Sequence, residues 1–188
     1  MKNYKERFLG NIPKMDKQTF GGGVKGNLDT VSFIKKCARK YSGHPLVRRF
    51  SEEILNEYAT RSHDHVDEAL AIGEYIQKNC RYLKDPNKIE QLQAPDLMIK
   101  RIRENKFRGD CDDMVLLTLT CLLSVGIEPY VRIVKYRKEF PSFQHIYVVV
   151  YERNYRDAKK SRVVLDCIVK DKYMGFEVPH AEGKEIKI

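Results

Sequence analysis

Apolar residues recur with a helical period through the first two thirds of the chain. In LDTVSFIKKCARKYSG (28–43), Val31, Ile34, Cys37, Ala38 and Tyr41 fall on one face, and Gly43 suits the C-terminal stop. PLVRRFSEEILNEYA (45–59) repeats the spacing with Leu46, Val47, Phe50, Ile54, Leu55 and Tyr58. DHVDEALAIGEYIQKNC (64–80) does so with Val66, Ala69, Leu70, Gly73, Ile76 and Cys80. Pro86 and Pro95 break the pattern, which predicts a loop leading to a short helix from Asp96 to Arg103. A more apolar helical run extends from Cys111 to Val125 and ends at Gly126.

Beyond Gly126 the period changes. PYVRIVKY (129–136), FQHIYVVVY (143–151) and RVVLDCIV (162–169) are rich in valine, isoleucine and tyrosine and predict strands. RKEFPS and ERNYRDAKKS between them predict exposed turns. Helices followed by a meander of strands give an α+β fold with an antiparallel sheet. The expected organisation is an extended arm over 1–27 and one domain over 28–188, helical through 126 and sheet from 127. The chain has no internal repeat and no obvious domain break.

Composition refines this picture. Apolar residues make up 42% of the 188, enough for a core. The net charge of +9 raises the case for an anionic partner, but acidic residues are interleaved throughout, which favours a dispersed basic surface. Arginine-rich runs, zinc-finger spacing and RNP-type patterns are absent, so nucleic acid is disfavoured as a partner. The glycines of FGGGVKGN (20–27) lack a following Gly-Lys-Ser/Thr and a preceding strand, which argues against a phosphate loop. Cys37, Cys80, Cys111, Cys121 and Cys167 form no Cys-x-x-Cys pair, and an odd number cannot all pair internally. Free thiols in a reducing compartment are expected, with Cys37 and Cys80 as buried apolar groups. The N-terminus shows no apolar signal core and no run reaches the ~18 residues of a membrane span, so the expected location is cytoplasmic. His63 and His65 flank Asp64 at a helix start without a suitably spaced third ligand, and cap or surface roles are expected of them.

The chemistry concentrates at RGDCDDMVLL (108–117). Cys111 follows a glycine and begins a helix, where unpaired backbone N–H groups favour a thiolate. Asp110 and Asp112 oppose that charge locally, or cap the helix. Gly109 leaves room for a substrate backbone. A nucleophile also needs a base and an orienter. Alternation along 143–151 puts His145, Tyr147 and Val149 on one face and Ile146, Val148 and Val150 on the other. Asp166 follows an apolar run on the next strand, where a carboxylate is costly unless partnered. If the two strands pair as a hairpin, Asp166 reaches the His145 imidazole. A helix-start cysteine or a strand histidine alone says little; their joint order is more specific.

With GDCDDMVLLTLTCLLSVGIEPYVRIV (109–134), QHIYVVVY (144–151) and VVLDCIV (163–169), the chain resembles the transglutaminase-like branch of the papain-like cysteine enzymes. There a Gly-Asp/Glu-Cys-x-Asp/Glu motif starts the central helix, His-x-Tyr/Trp-Val-x-Val follows, and an Asp lies on the next strand. The resemblance covers roughly residues 64–170. CRYLKDP (80–86) and EQLQAP (90–95) look most like the small transglutaminase-like proteins of bacteriophages and mobile elements. Many family members carry Trp-x-x-x-Asp-Pro at the third position; this chain has no tryptophan, and Cys167 follows Asp166. Cys167 is expected to serve packing.

The resemblance implies a Cys-bearing central helix packed on an antiparallel sheet, with Cys111 as nucleophile, His145 as general base and acid, and Asp166 as orienter. It implies acyl transfer through a thioester, either as a peptidase or amidase or as a transglutaminase. The Cys111 N–H would be one oxyanion donor, with Tyr82 and Gln91 as candidates for the second. Protein or peptide substrates are expected, with phage structural proteins as further partners. No cofactor or metal is expected, since no EF-hand loop is present and consecutive helical aspartates diverge in direction. Asp112 and Asp113 are assigned to capping, to loop N–H groups or to a basic substrate. The alternative is a non-catalytic binding or virion-assembly module on the same fold, motivated by the basic balance and the glycine-rich arm.

Overall fold

The computed structural model describes residues 23–58, 64–85, 92–152 and 162–188. Within them the helices are α1 (Gly23–Tyr41), α2 (Pro45–Tyr58), α3 (His65–Asn79), α4 (Pro95–Arg103) and α5 (Cys111–Ser124). Strand β1 (Arg81–Tyr82) follows α3, and β2 (Arg108–Gly109) immediately precedes α5. The main strands are β3 (Pro129–Lys135), β4 (His145–Tyr151), β5 (Arg162–Leu165) and β6 (Glu182–Lys187). The sheet is antiparallel in the order β5-β4-β3-β6. The expected α+β architecture, with the cysteine-bearing helix packed on an antiparallel sheet, is the one observed.

Several boundaries differ from expectation. Helix α1 begins at Gly23, so residues 23–27 are helical rather than part of an arm, and residues 1–22 lie outside the described residues. Asn27 and Thr30 explain the extra turn: Thr30 Oγ1 donates to the Gly26 carbonyl, and Asn27 anchors this end to the loop before β4. Strand β5 stops at Leu165, which leaves Asp166 just beyond its end rather than within it. The β1–β2 pair and β6 carry too few apolar residues for periodicity to reveal them. Strand β6 reads EGKEIK and is held by backbone pairing to β3.

Helix α5 is the centre of the core. Leu116, Leu117, Leu119, Cys121 and Leu122 are fully buried, because α1, α2, α3 and α4 surround it and the sheet closes the remaining side. A helix apolar on all sides is stable only in such a setting. Two of its threonines are satisfied within it: Thr118 and Thr120 donate to the carbonyls four residues back. It ends in a Schellman motif, with Gly126 at φ +82° and Ile127 N–H donating to the Leu122 carbonyl at 3.0 Å.

Strand β4 is buried on both faces from His145 to Val150. Ile146, Val148 and Val150 join the main core under the helices. Val149 and Tyr147 face a second, smaller cluster with Val134 and Val164, covered by the chain around Val178. Over this outer face lies a charge network. Arg132 and Arg162 both contact Glu177 and Glu185, Tyr147 donates to Glu177 and Tyr151 to Glu185. Gly183 sits where a Cβ would come 2.7 Å from the Arg132 guanidinium, so the glycine makes room for it.

Candidate active site

The start of α5 is fixed by its own acidic neighbours. Asp110 is the N-cap, and its carboxylate accepts from Asp112 N–H at 2.9 Å and Asp113 N–H at 3.3 Å. The carboxylate before Cys111 therefore serves the cap. Asp113 points the other way, into a buried position where it accepts from the Gln93 backbone N–H at 2.8 Å and from Gln93 Nε2 at 2.9 Å. Burial pushes the Asp113 carboxyl up to about 6, against the lowering effect of the Gln93 hydrogen bonds. Gly109 is not open to a substrate, contrary to the sequence expectation. A Cβ there would lie 2.5 Å from Asp113 Oδ2 and 2.9 Å from the Phe107 ring, so the glycine is needed for internal packing.

Cys111 is the first residue of α5 and is half-buried, with Sγ 3.8 Å from Asp112 Oδ1. The other four cysteines are buried. Burial pushes Cys37 to about 11 and Cys121 and Cys167 to about 12, and raises Cys80 as well. Cys167 packs between Thr118 Oγ1 at 3.5 Å and the Gly73 carbonyl at 3.6 Å. Strands β1 and β2 pair in parallel, with Tyr82 opposite Gly109 and Leu83 N–H donating to the Gly109 carbonyl at 2.9 Å. This pairing brings Tyr82 beside the thiol-bearing helix start.

On the sheet, His145 opens β4 and is buried. Its Nε2 lies 2.7 Å from Asp166 Oδ2, and both side chains are almost fully buried. The β4–β5 register places Val148 opposite Leu165, and continuing it sets Asp166 beside the start of β4. Asp166 is held by packing beneath it. At Gly73 a Cβ would meet Met174 Sδ at 3.1 Å and Leu165 Cδ2 at 3.2 Å, so α3 approaches the end of β5 closely because residue 73 is glycine. Tyr136, just after β3, stacks on the imidazole at 6.2 Å and 14°.

Cys111 and His145 line one cleft of about 210 Å³, together with Tyr82, Lys84, Asp110 and Asp112. Its other walls are Asn27, Thr30 and Val31 from α1, Ile133 from β3, and Phe143, Gln144 and Ile146 around the start of β4. Of the expected site residues, Tyr82 is at the cleft, Asp166 reaches it through His145, and Gln91 lies outside the described residues. Tyr136 and Gln93 were missed. Gln93 lies within EQLQAP, two residues before Pro95, and Tyr136 ends the apolar run of β3, but nothing in either segment singles out that residue. His65 opens α3 and lies 3.3 Å from Glu68, with Asp64 as the cap; His63 lies outside the described residues.

No protein-family model matches the sequence, and no curated protein is similar to it. Among solved structures, the chain is similar to a candidate protease from Parabacteroides distasonis at 12% identity and TM-score 0.49, over 74% of this chain and 29% of that one. It is similar to a candidate cysteine protease from Cytophaga hutchinsonii at 16% identity and TM-score 0.42, over 65% and 38%. With Legionella pneumophila LapG the values are 12% and 0.43, over 82% and 76%. The chain spans less than two fifths of the length of the first two proteins. Among the described residues no helix is long and apolar enough to cross a membrane.

Proposed function

We propose that this chain is a cysteine-dependent acyl-transfer enzyme acting on peptide or carboxamide carbonyls, with Cys111, His145 and Asp166 as its triad. The observation that carries the reading is the buried His145–Asp166 pair, whose imidazole borders the cleft that also holds the thiol at the start of α5. Asp166 on Nε2 keeps a proton there and leaves Nδ1 to act on the thiol. Nδ1 takes the Cys111 proton, and sulfur attacks the carbonyl carbon. As the C–N bond breaks, the imidazolium returns that proton to the leaving amine. Water then attacks the thioester to give a carboxylic acid and the free thiol; an amine in its place gives a new amide. The Cys111 N–H supplies one oxyanion donor, and the Tyr82 hydroxyl is assigned as the second.

The test is alkylation by iodoacetamide, followed by peptide mass spectrometry. Cys111 is expected to react at least tenfold faster than the other four thiols and to lose that advantage in His145→Ala. Equal rates, or an advantage unchanged in His145→Ala, would overturn the proposal.

A further inference from the structure

We infer that Tyr136 is a positioning residue for His145: its ring holds the plane of the imidazole so that, with Nε2 on Asp166, Nδ1 stays available to the thiol. The inference rests on the acyl-transfer reading and adds to it a residue outside the motif-bearing segments.

Three observations support it. The first is ring geometry. The Tyr136 and His145 rings are 14° from parallel with centroids 6.2 Å apart, an offset stack. Along the same strand, the Tyr147 ring stands 5.5 Å from the imidazole at 42°, and its hydroxyl is tied to Glu177. A hydrogen bond at Nε2 fixes one atom of the imidazole and leaves its plane free to tilt; aromatic neighbours restrict that tilt. The second is exposure. Tyr136 is 43% exposed and His145 only 4%. A half-exposed tyrosine adds little to the core, yet this one lies against a buried imidazole. The third is how Tyr136 is held. Its N–H donates to Gln144 Oε1 at 3.2 Å. Gln144 immediately precedes His145, and its own N–H donates at 3.0 Å to the carbonyl of Val134, the residue paired with His145 across the sheet. The neighbour of the imidazole therefore reaches back to seat the tyrosine.

The experiment is alkylation of Cys111 by iodoacetamide in the full chain, followed by peptide mass spectrometry at two pH values. At about pH 6.5 a free thiol is almost wholly protonated, so the rate there reads the thiolate that the imidazole creates; at about pH 9.5 the thiol ionises without a base. The other titratable groups around the pair, Asp166, Tyr147, Tyr82, Lys84, Asp110 and Asp112, are the same in every variant. Tyr136→Ala is expected to lower the acid rate about tenfold and to change the alkaline rate less than about twofold. Tyr136→Phe keeps the flat face and is expected to match the parent chain within about twofold at both values. Tyr136→Leu, with apolar bulk but no flat face, is expected to follow alanine, and it replaces alanine if circular dichroism shows that chain unfolded. An acid rate unchanged in these two variants but lowered in His145→Ala would overturn the positioning role and leave the acyl-transfer reading standing. A phenylalanine chain as slow as alanine would make the hydroxyl the agent. Equal falls at both values, or unfolding of both the alanine and leucine chains, would make Tyr136 a packing residue. Each of these would overturn the inference. An acid rate unaffected by His145→Ala would overturn the acyl-transfer reading and the role of Tyr136 together.

Discussion

The sheet carries two sets of paired charge, one half-buried and one buried. Around Arg132, two arginines face two glutamates, and a tyrosine hydroxyl completes each carboxylate. Around His145, one imidazole meets one carboxylate, and the ring also borders a cleft that holds a thiol. The first set extends to His180, whose Nε2 lies 2.9 Å from Arg132 Nη2. Its two positive charges match its two negative ones, and its side chains keep 18–24% exposure. The second is deeper, at 2% and 3%, and its imidazole lines the same cleft as the Cys111 thiol. Ion pairing alone therefore does not distinguish the two sets. What separates the two is depth and the cleft that His145 borders.

That contrast can be broken by mutation. The largest expected effect is on the open pair: Asp166→Asn should lower kcat/KM on an acyl substrate by about 10²–10⁴, with the chain still folded. A loss below threefold would erase the distinction. Next is Arg132→Met, which leaves Glu177 and Glu185 short of a partner and should cost about 3 kcal/mol in urea unfolding, with the rate per folded molecule unchanged.

Acidification should resolve a further difference. Burial raises Asp113, so between about pH 4 and 6 the folded chain holds its proton more tightly than the unfolded chain. Its contribution to stability therefore increases as pH falls through that window, by about 2–3 kcal/mol at most. Glu185 behaves oppositely. Burial pushes its carboxyl up, but hydrogen bonds from Tyr151 and Arg162 and the charge of Arg132 outweigh that and hold it below its usual range. Its stabilisation is present above the unfolded value and is lost as pH falls through the lowered one. Asp113→Asn should flatten the pH 4–6 limb of a thermal-unfolding series, and Glu185→Gln should weaken the loss at lower pH. The smallest effect belongs to the exposed Arg48–Glu52 pair on α2. Arg48→Ala there should change stability by less than about 0.5 kcal/mol.

Much of the fold was legible in the chain. The faces of α1, α2 and α3 follow from apolar spacing, and the stop of α5 follows from Gly126. Cys111 at a helix start follows from Gly109 and Asp110. The alternation on β4 separated two faces, and Ile146, Val148 and Val150 do pack in one cluster while Tyr147 and Val149 pack in another. What alternation could not show is that both faces are covered, because the cover on the outer face comes from a polar, irregular stretch around Glu177 and Val178. The short β1–β2 pair escaped for a similar reason: two residues carry no period. The role of Gly109 was misread because a glycine in sequence marks a missing side chain without saying what fills its place.

The sequence by itself determined the elements, the position of the thiol at the head of an apolar helix, and the presence of a histidine and a carboxylate on neighbouring strand segments. These are local properties, set by periodicity, capping and residue type. Only the tertiary structure decided that Asp166 meets His145 at 2.7 Å from beyond the end of its strand, that Asp113 is spent on Gln93, and that α1 forms a wall of the cleft. Each joins residues that lie far apart in the chain or turn away from their neighbours. Such meetings depend on strand register and on how closely helices approach at a few glycines, which no single segment specifies.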